Sequence, residues 1–173
     1  MKSNILLAVL AFATLASAAH AQELAQAKLQ EMYQRVSPAL GLLRYSAEIV
    51  NASNGEISRR ENTGLGVVVS PTGLVMTQGH MLLDGTTPVD ITLTLDLPNM
   101  GKEYPCTLLD KPTDLNVVFL QIQSNEPLRL PHVAFHQGGS ADLGESLVLV
   151  GILGDTLDYV PALESARVSA VLS

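Results

Sequence analysis

The chain has 173 residues, of which 47% are hydrophobic, and it carries a formal net charge of −7. This length supports one domain of ordinary size, and its core must be mainly aliphatic because tryptophan is absent and only 4% of the residues are aromatic. The acidic balance leaves no basic face, which argues against nucleic acid and anionic membrane surfaces as partners.

The first 21 residues have the organisation of a secretory signal peptide. Lys2 supplies a positive charge, Ile5 to Ala16 form an apolar stretch, and Ala19-His20-Ala21 is a small-x-small cleavage site. The apolar stretch is shorter than the roughly 20 residues of a membrane-spanning helix, which disfavours the alternative of an uncleaved anchor. We therefore expect an exported protein that is periplasmic or secreted and free of the membrane after cleavage.

The cysteine and histidine content predicts neither a disulfide nor a metal site. Cys106 is the single cysteine, so no internal disulfide can form, and a buried strand thiol is expected. His132 and His136 lie in a predicted strand, where a rise of about 3.3 Å per residue separates them by about 13 Å, too far to share one ion. No cofactor or metal is expected.

The first elements of the mature chain are a helix and a strand. Apolar residues recur at helical spacing over Glu23 to Val36, and Ser37-Pro38 ends the helix because the residue before proline avoids the helical region. Ala39 to Val50 is predicted to be a strand. Asn51 to Asn62 is polar and contains the turn signal Asn54-Gly55, so a loop is expected there.

The stretch from Gly64 to Asp84 predicts a hairpin that presents a titratable side chain. Val67 to Val69 is a β-branched run, Ser70-Pro71-Thr72-Gly73 is a turn, and Leu74 to Thr77 restarts the strand. His80 follows immediately. A polar side chain that emerges where a buried strand ends is a typical position for a catalytic group on a rigid scaffold.

The rest of the chain consists of short predicted strands separated by turns. They are Val89 to Leu97, Glu103 to Leu109, Leu115 to Gln123, His132 to His136, Ser146 to Leu153 and Ala166 to Leu172. Close spacing without helical crossovers indicates an all-β barrel or sandwich. Asn125 to Pro131 is a proline-containing linker, and the continuous apolar run of Ser146 to Leu153 predicts a strand buried on both faces.

Two of these segments resemble the trypsin-like serine proteases, most closely the bacterial HtrA (Do-like) branch. Gly-x-Gly-Val-Val-Val-Ser-x-x-Gly-x-Val-x-Thr-x-x-His, ending at His80, is similar to the hairpin that bears the family's general base. Thr-Asp-Leu-Asn-Val-Val, starting at Thr113, is similar to the segment of its aspartate. The resemblance implies that His80 is the base and that Asp114 orients it. The sequence departs from the usual pattern at Leu65, where a small residue is usual, at Gln78-Gly79, where asparagines or alanines are usual, and at Asn116, where a small apolar residue is usual.

The resemblance covers most of the mature chain after the helix and implies a trypsin-like double β-barrel. The expected parts are a signal peptide over 1–21, an N-terminal helix over 22–37, a first barrel over 38–124 and an incomplete second barrel over 125–173. The implied function is endoproteolysis by acyl transfer on polypeptide substrates or unfolded proteins. The oligomeric state stays open, with a homo-oligomer among the options.

The family's nucleophile motif, Gly-x-Ser-Gly-Gly, does not occur in the chain. Ser140 follows two glycines but lies in a turn before the second barrel's first long strand, so no serine is assigned as the nucleophile. We expect the N-terminal part of a longer protease, because a half-built second barrel exposes strand edges. The alternatives are a truncated non-catalytic relative that binds peptides or a partner, and an unrelated secreted β-barrel binding module.

We predict that the signal peptide is cleaved before Gln22 on export, because the small-x-small site ends at Ala21. N-terminal sequencing of the exported protein should give a sequence that starts at Gln22. Material that still begins at Met1 would contradict this prediction.

Overall fold

A computed structural model of the chain describes residues 26–50, 53–81, 88–112, 115–135, 141–154 and 159–170. Clustering of contacts divides the chain into two compact units, Met1–Arg35 and Val36–Ser173. The described residues of the first unit are helical, and this helix, α1, covers 26–36. The predicted helix is thus confirmed over its described part, whereas the predicted signal peptide lies outside the described residues.

The second unit is built from antiparallel strands. They are β1 Leu40–Val50, β2 Ile57–Val68, β3 Leu74–Gln78, β4 Pro88–Leu97, β5 Lys102–Asp110, β6 Val117–Ile122, β7 Ser146–Ile152 and β8 Pro161–Arg167. The first six close into a barrel in the order β1-β2-β3-β6-β5-β4, with β4 returning to β1. β7 and β8 form a separate two-stranded sheet. These observations confirm the all-β, trypsin-like fold with one complete barrel and one incomplete one.

The core fills the barrel and is mainly aliphatic, as the composition predicts. Inward-facing side chains alternate along each strand, so that Leu93, Leu95 and Leu97 of β4 are buried. Two tyrosines, Tyr45 and Tyr104, add aromatic bulk to a set dominated by leucine and valine. In the sequence, the apolar residues of β4 from Val89 to Leu97 alternate with polar ones, which predicts a half-buried strand. The alternation is confirmed at the three leucines, whereas Ile91 is 40% exposed.

A pair of glycines makes room for the side chain of Leu95, which is fully buried in the core. Gly41 of β1 lies opposite Gly66 of β2 in the strand register. A Cβ atom at Gly41 would lie 2.8 Å from Leu95 Cδ1, and one at Gly66 would lie 2.5 Å from the same atom. Both distances are shorter than real carbon contacts, so Leu95 can occupy the barrel centre only because both positions lack side chains.

β2 begins earlier than the sequence predicts. The expected loop over Asn51 to Asn62 is wrong in its second half, because β2 starts at Ile57 and pairs with β1 from Val50 onwards. The outer half of β2 is exposed, so backbone hydrogen bonds hold it as a strand without burial. The turn signal is correct, since Gly55 has a φ of +71°.

The predicted strand over His132 to His136 is wrong for 132–135, the part that the structure describes. This segment instead lies against the β2–β3 hairpin. The Val133 N–H donates to the Val68 carbonyl oxygen at 2.9 Å, and the Leu130 N–H donates to the Pro71 carbonyl oxygen at 3.0 Å. Leu130 is buried against the core, which fixes the linker that follows β6.

The β7–β8 sheet also differs from expectation. The predicted strand over Ala166 to Leu172 is wrong for 168–170, because the ladder of β8 with β7 ends where Arg167 pairs with Ser146, the first residue of β7. Residues 171–173 lie outside the described residues. Leu147 and Leu149 of β7 are 37% and 53% exposed, so the expected burial of this strand on both faces is wrong. Among the described strands, only β8 pairs with it.

Gly41→Ala should destabilise the barrel by about 1–3 kcal/mol, because its Cβ meets the Asp96 carbonyl oxygen at 2.7 Å as well as Leu95. Urea unfolding followed by circular dichroism measures the loss. Gly151→Ala in β7 is the matched control, since a Cβ there has no neighbour within 4 Å, and its effect should stay within about 0.5 kcal/mol. Equal unfolding midpoints for the two variants would contradict the packing argument.

Candidate active site

The β2–β3 hairpin predicted from the sequence is present, and its turn is tightly fixed. Gly73 has a φ of +90°, and its N–H donates to the Ser70 carbonyl oxygen at 3.2 Å. The Ser70 hydroxyl accepts the Leu74 N–H at 3.1 Å, which ties the turn to the start of β3. A Cβ on Gly73 would lie 2.9 Å from Ile122 Cβ, so the turn is closely packed against β6.

β3 is held on both sides before the chain reaches the candidate site. The hydroxyl of Thr77, which is buried, donates to the Leu65 carbonyl oxygen of β2 at 2.8 Å. On its other side β3 pairs with β6 along its whole length, ending with Gln78 opposite Val117. The residues that follow therefore leave the barrel from a fixed point, as a precise functional site requires.

His80 lies in a short 3-10 turn, Gly79–Met81, directly after β3, and it is exposed. Two consecutive N–H groups of this turn donate to Asn116. The Gly79 N–H donates to the main-chain carbonyl oxygen of Asn116 at 3.1 Å, and the His80 N–H donates to its side-chain Oδ1 at 3.0 Å. These two bonds fix the backbone that carries the imidazole.

Gly79 is buried and has no space for a side chain. A Cβ at this position would lie 2.7 Å from Asn116 Oδ1 and 3.1 Å from the Asn116 carbonyl carbon. Positive φ values occur at other glycines of the described chain, but not at Gly79. Glycine is therefore needed here for close approach to Asn116 and not for an unusual backbone conformation.

Asp114, the predicted partner of His80, lies outside the described residues. The positions after it are described: Leu115 and Asn116 are exposed, and β6 begins at Val117. β3 and β6 are antiparallel neighbours, so the end of β3 and the start of β6 lie at the same end of the barrel. This topology brings His80 next to Asn116, which is two positions from Asp114 in the sequence.

The remaining candidates from the sequence are Ser140, His136 and His132. Ser140 and His136 lie outside the described residues. His132 is described, and its Nδ1 lies 3.2 Å from the Leu130 carbonyl oxygen. Over the ranges that the structure describes, no group of three or more His, Cys, Asp and Glu side chains could hold a metal ion.

Cys106 is a buried thiol of β5, as expected from the sequence. Burial raises the pKa of Cys106 to about 11, partly opposed by a hydrogen bond from the Leu95 backbone. The thiol is therefore protonated at neutral pH. Because the thiolate is the nucleophilic form, Cys106 is not suited to act as a nucleophile in the folded protein.

Sequence reasoning noted Gly79 and Asn116 only as two separate departures from the trypsin-like pattern. In the structure they are in contact with each other, and Asn116 also binds the backbone of His80. The available signal was a glycine directly before the histidine, together with a hydrogen-bonding residue where a small apolar one is usual.

The closed six-stranded barrel, with a histidine turn at the end of β3 beside the start of β6, is the architecture of a trypsin-like peptidase. Comparison with protein families agrees with this assignment. The model named "Trypsin-like peptidase domain" matches residues 64–173, well over half of the chain. The chain belongs to the trypsin-like peptidase family.

The chain is also similar to a Chlamydia pneumoniae protein named "Probable periplasmic serine endoprotease DegP-like". The two are 29% identical over 116 residues, which cover 62% of this chain and 22% of the relative. The chain thus aligns with less than a quarter of that protein's length. This similarity supports the HtrA type of trypsin-like peptidase that the two motifs indicate. In the described residues, no helix is long and apolar enough to cross a membrane.

Proposed function

We propose that the chain carries the base and the orienting carboxylate of an HtrA-type serine endopeptidase site. His80 is the general base, and Asp114 holds its imidazole. The reaction class is acyl transfer from a peptide bond, and the substrates are polypeptides or unfolded proteins in the periplasm. The single observation that carries this proposal is the position of His80, which is fixed by β3 and Asn116 at the end of the barrel where β6 begins.

The two residues have complementary tasks in this chemistry. A neutral imidazole takes the proton of a serine hydroxyl as it attacks the carbonyl carbon, and later returns that proton to the leaving amine. The carboxylate of Asp114 accepts the Nδ1–H of His80, so that Nε2 faces the nucleophile with its lone pair. The same negative charge stabilises the imidazolium that forms in the transition state. Positioned general-base catalysis of this kind contributes about 10²–10⁴-fold to the rate.

The nucleophile is not assigned within the 173 residues, because Gly-x-Ser-Gly-Gly is absent. A serine outside such a motif lacks the glycines that expose it and that shape an oxyanion hole. We therefore propose that the 173-residue chain by itself is inactive. We also propose the division into a signal peptide, a helix, a first barrel over 38–124 and a partial second barrel over 125–173.

One observation favours a second candidate function, non-catalytic binding of peptides. β7 exposes Leu147 and Leu149, and among the described strands only β8 pairs with it, so within the described part of the chain its other edge has no partner strand. An extended peptide can pair with such an edge by strand addition. Peptide binding that is unchanged in His80→Ala would favour this candidate.

Asp114→Asn should change the tautomer of neutral His80. The carboxylate favours a proton on Nδ1, whereas the asparagine amide can donate to Nδ1 and so favours a proton on Nε2. Long-range ¹H–¹⁵N spectra of the imidazole distinguish the two forms. Asp90→Asn is the control, because Asp90 is exposed on β4, three strands away from β3 in the barrel order. An unchanged tautomer in Asp114→Asn would contradict the proposed pair.

The 173-residue chain should hydrolyse fluorescent casein no faster than its His80→Ala variant. The members of a catalytic triad act as a unit, so a base without a nucleophile retains little of their joint effect. Release of labelled peptides over several hours measures the rate. Hydrolysis that disappears in His80→Ala would contradict the proposed inactivity, and Ser140 would become the first candidate nucleophile.

A further inference from the structure

We propose that Asn116 is a positioning residue for His80 and that Gly79 is glycine to leave space for its amide. The proposal rests on the proposed function, in which His80 is the base. It assigns a role to two residues on different strand ends that work as one unit, and neither needs to touch a substrate. The proposal rests on the position of the Asn116 Oδ1 atom. It lies 3.0 Å from the backbone nitrogen of His80 and 2.7 Å from the place that a Cβ atom of residue 79 would occupy.

The first step concerns the backbone of the turn. The first N–H groups of a helical turn have no acceptor within the turn itself, and His80 is the second residue of its 3-10 turn. The β3–β6 ladder reaches Gln78 opposite Val117, and the Gly79 N–H extends it by one bond to the Asn116 carbonyl. The side chain of Asn116 then accepts the next N–H, that of His80. Asn116 thus binds two successive N–H groups of the turn.

The second step concerns the imidazole. The χ1 rotamers that a side chain can adopt depend on the backbone dihedrals of its residue. An acceptor that fixes the His80 N–H therefore also limits the χ1 rotamers of the imidazole. Catalysis is sensitive to such geometry, and a displacement of about 1 Å can lower a rate about 10²-fold. His80 is exposed, so the turn itself must supply the order that burial gives to core side chains.

The third step concerns the choice of residue types. An asparagine amide oxygen accepts the His80 N–H without carrying a charge, so Asp114 remains the carboxylate that is proposed to pair with the imidazole. A side chain at Gly79 would push this amide away, because 2.7 Å is too close for a carbon and an oxygen that are not bonded. The other contacts of such a Cβ, at 3.1 and 3.2 Å to the Asn116 carbonyl carbon and Cα, are also tighter than ordinary van der Waals contact, so the backbone of Asn116 must shift by a few tenths of an ångström.

The test is nuclear magnetic resonance on the 173-residue chain with three readouts for His80: amide hydrogen exchange, χ1 rotamer populations from Hα–Hβ couplings, and the ring tautomer. Asn116→Ala should accelerate exchange of the His80 amide at least tenfold, mix its χ1 rotamers and weaken its tautomer preference. Asn116→Asp keeps an acceptor of the same shape and should restore slow exchange and a single rotamer.

Gly79→Ala should reproduce the effects of Asn116→Ala, because it displaces the same amide by a different route. The double variant Gly79→Ala/Asn116→Ala should then be no worse than Gly79→Ala alone, since the amide contact is already lost in that single variant. Asn99→Ala is the matched control. It removes an asparagine side chain that donates to the Ser37 carbonyl oxygen, and it should leave all His80 signals unchanged.

Slow exchange and a single rotamer in Asn116→Ala would overturn the proposal, and so would full additivity of the two substitutions. Unchanged resonances of Val118 and Leu120 in the core of β6 show that each variant is folded, and if Asn116→Ala fails this criterion, Gly79→Ala decides. Failure of this proposal can be distinguished from failure of the proposed function. Amide exchange and rotamers do not require Asp114, whereas the function fails on the tautomer of Asp114→Asn.

Discussion

The antiparallel pairing of β3 with β6 is the constraint on which the rest of the structure depends. These strands are far apart in the chain, and β4 and β5 lie between them in sequence but not in the barrel wall. The pairing completes the barrel and encloses Val75, Val118 and Leu120 in its core. It also brings the residues after β3 and those before β6 to one end of the barrel. Fold and candidate site therefore depend on the same set of backbone hydrogen bonds.

Local signals in the sequence were sufficient for the hairpin and for the all-β class. The Ser70 to Gly73 turn and the alternation of β4 depend on near neighbours; the turn is found as predicted, and the alternation holds for the leucines of β4 but not for Ile91. The outer half of β2 was missed because its polar side chains carry no burial signal, and only its pairing with β1 makes it a strand. The segment at 132–135 was predicted to be a strand because of its apolar residues, but only Val133 packs against the core, and Phe135 is exposed.

The candidate site was predictable in its residue types and not in its geometry. His80 and Asp114 stand out because each sits in a recognisable motif, and the family assignment agrees with those motifs. The contact between Gly79 and Asn116 could not be predicted, because it depends on the register in which β3 meets β6. In the sequence, Gly79 and Asn116 are two unrelated departures from the trypsin-like pattern. Their contact in the structure gives a single explanation for both.

The attachment of the linker to the hairpin turn has a mechanical consequence. Tension applied to the chain beyond residue 133 reaches the barrel first at Pro71 and Val68, through the hydrogen bonds of Leu130 and Val133. His80 follows the other end of β3, a strand of five residues that is about 16 Å long. A force on the C-terminal part therefore acts on the turn of the hairpin. β3 lies between this turn and His80, and its hydrogen bonds to β2 and β6 shield the histidine end from the force.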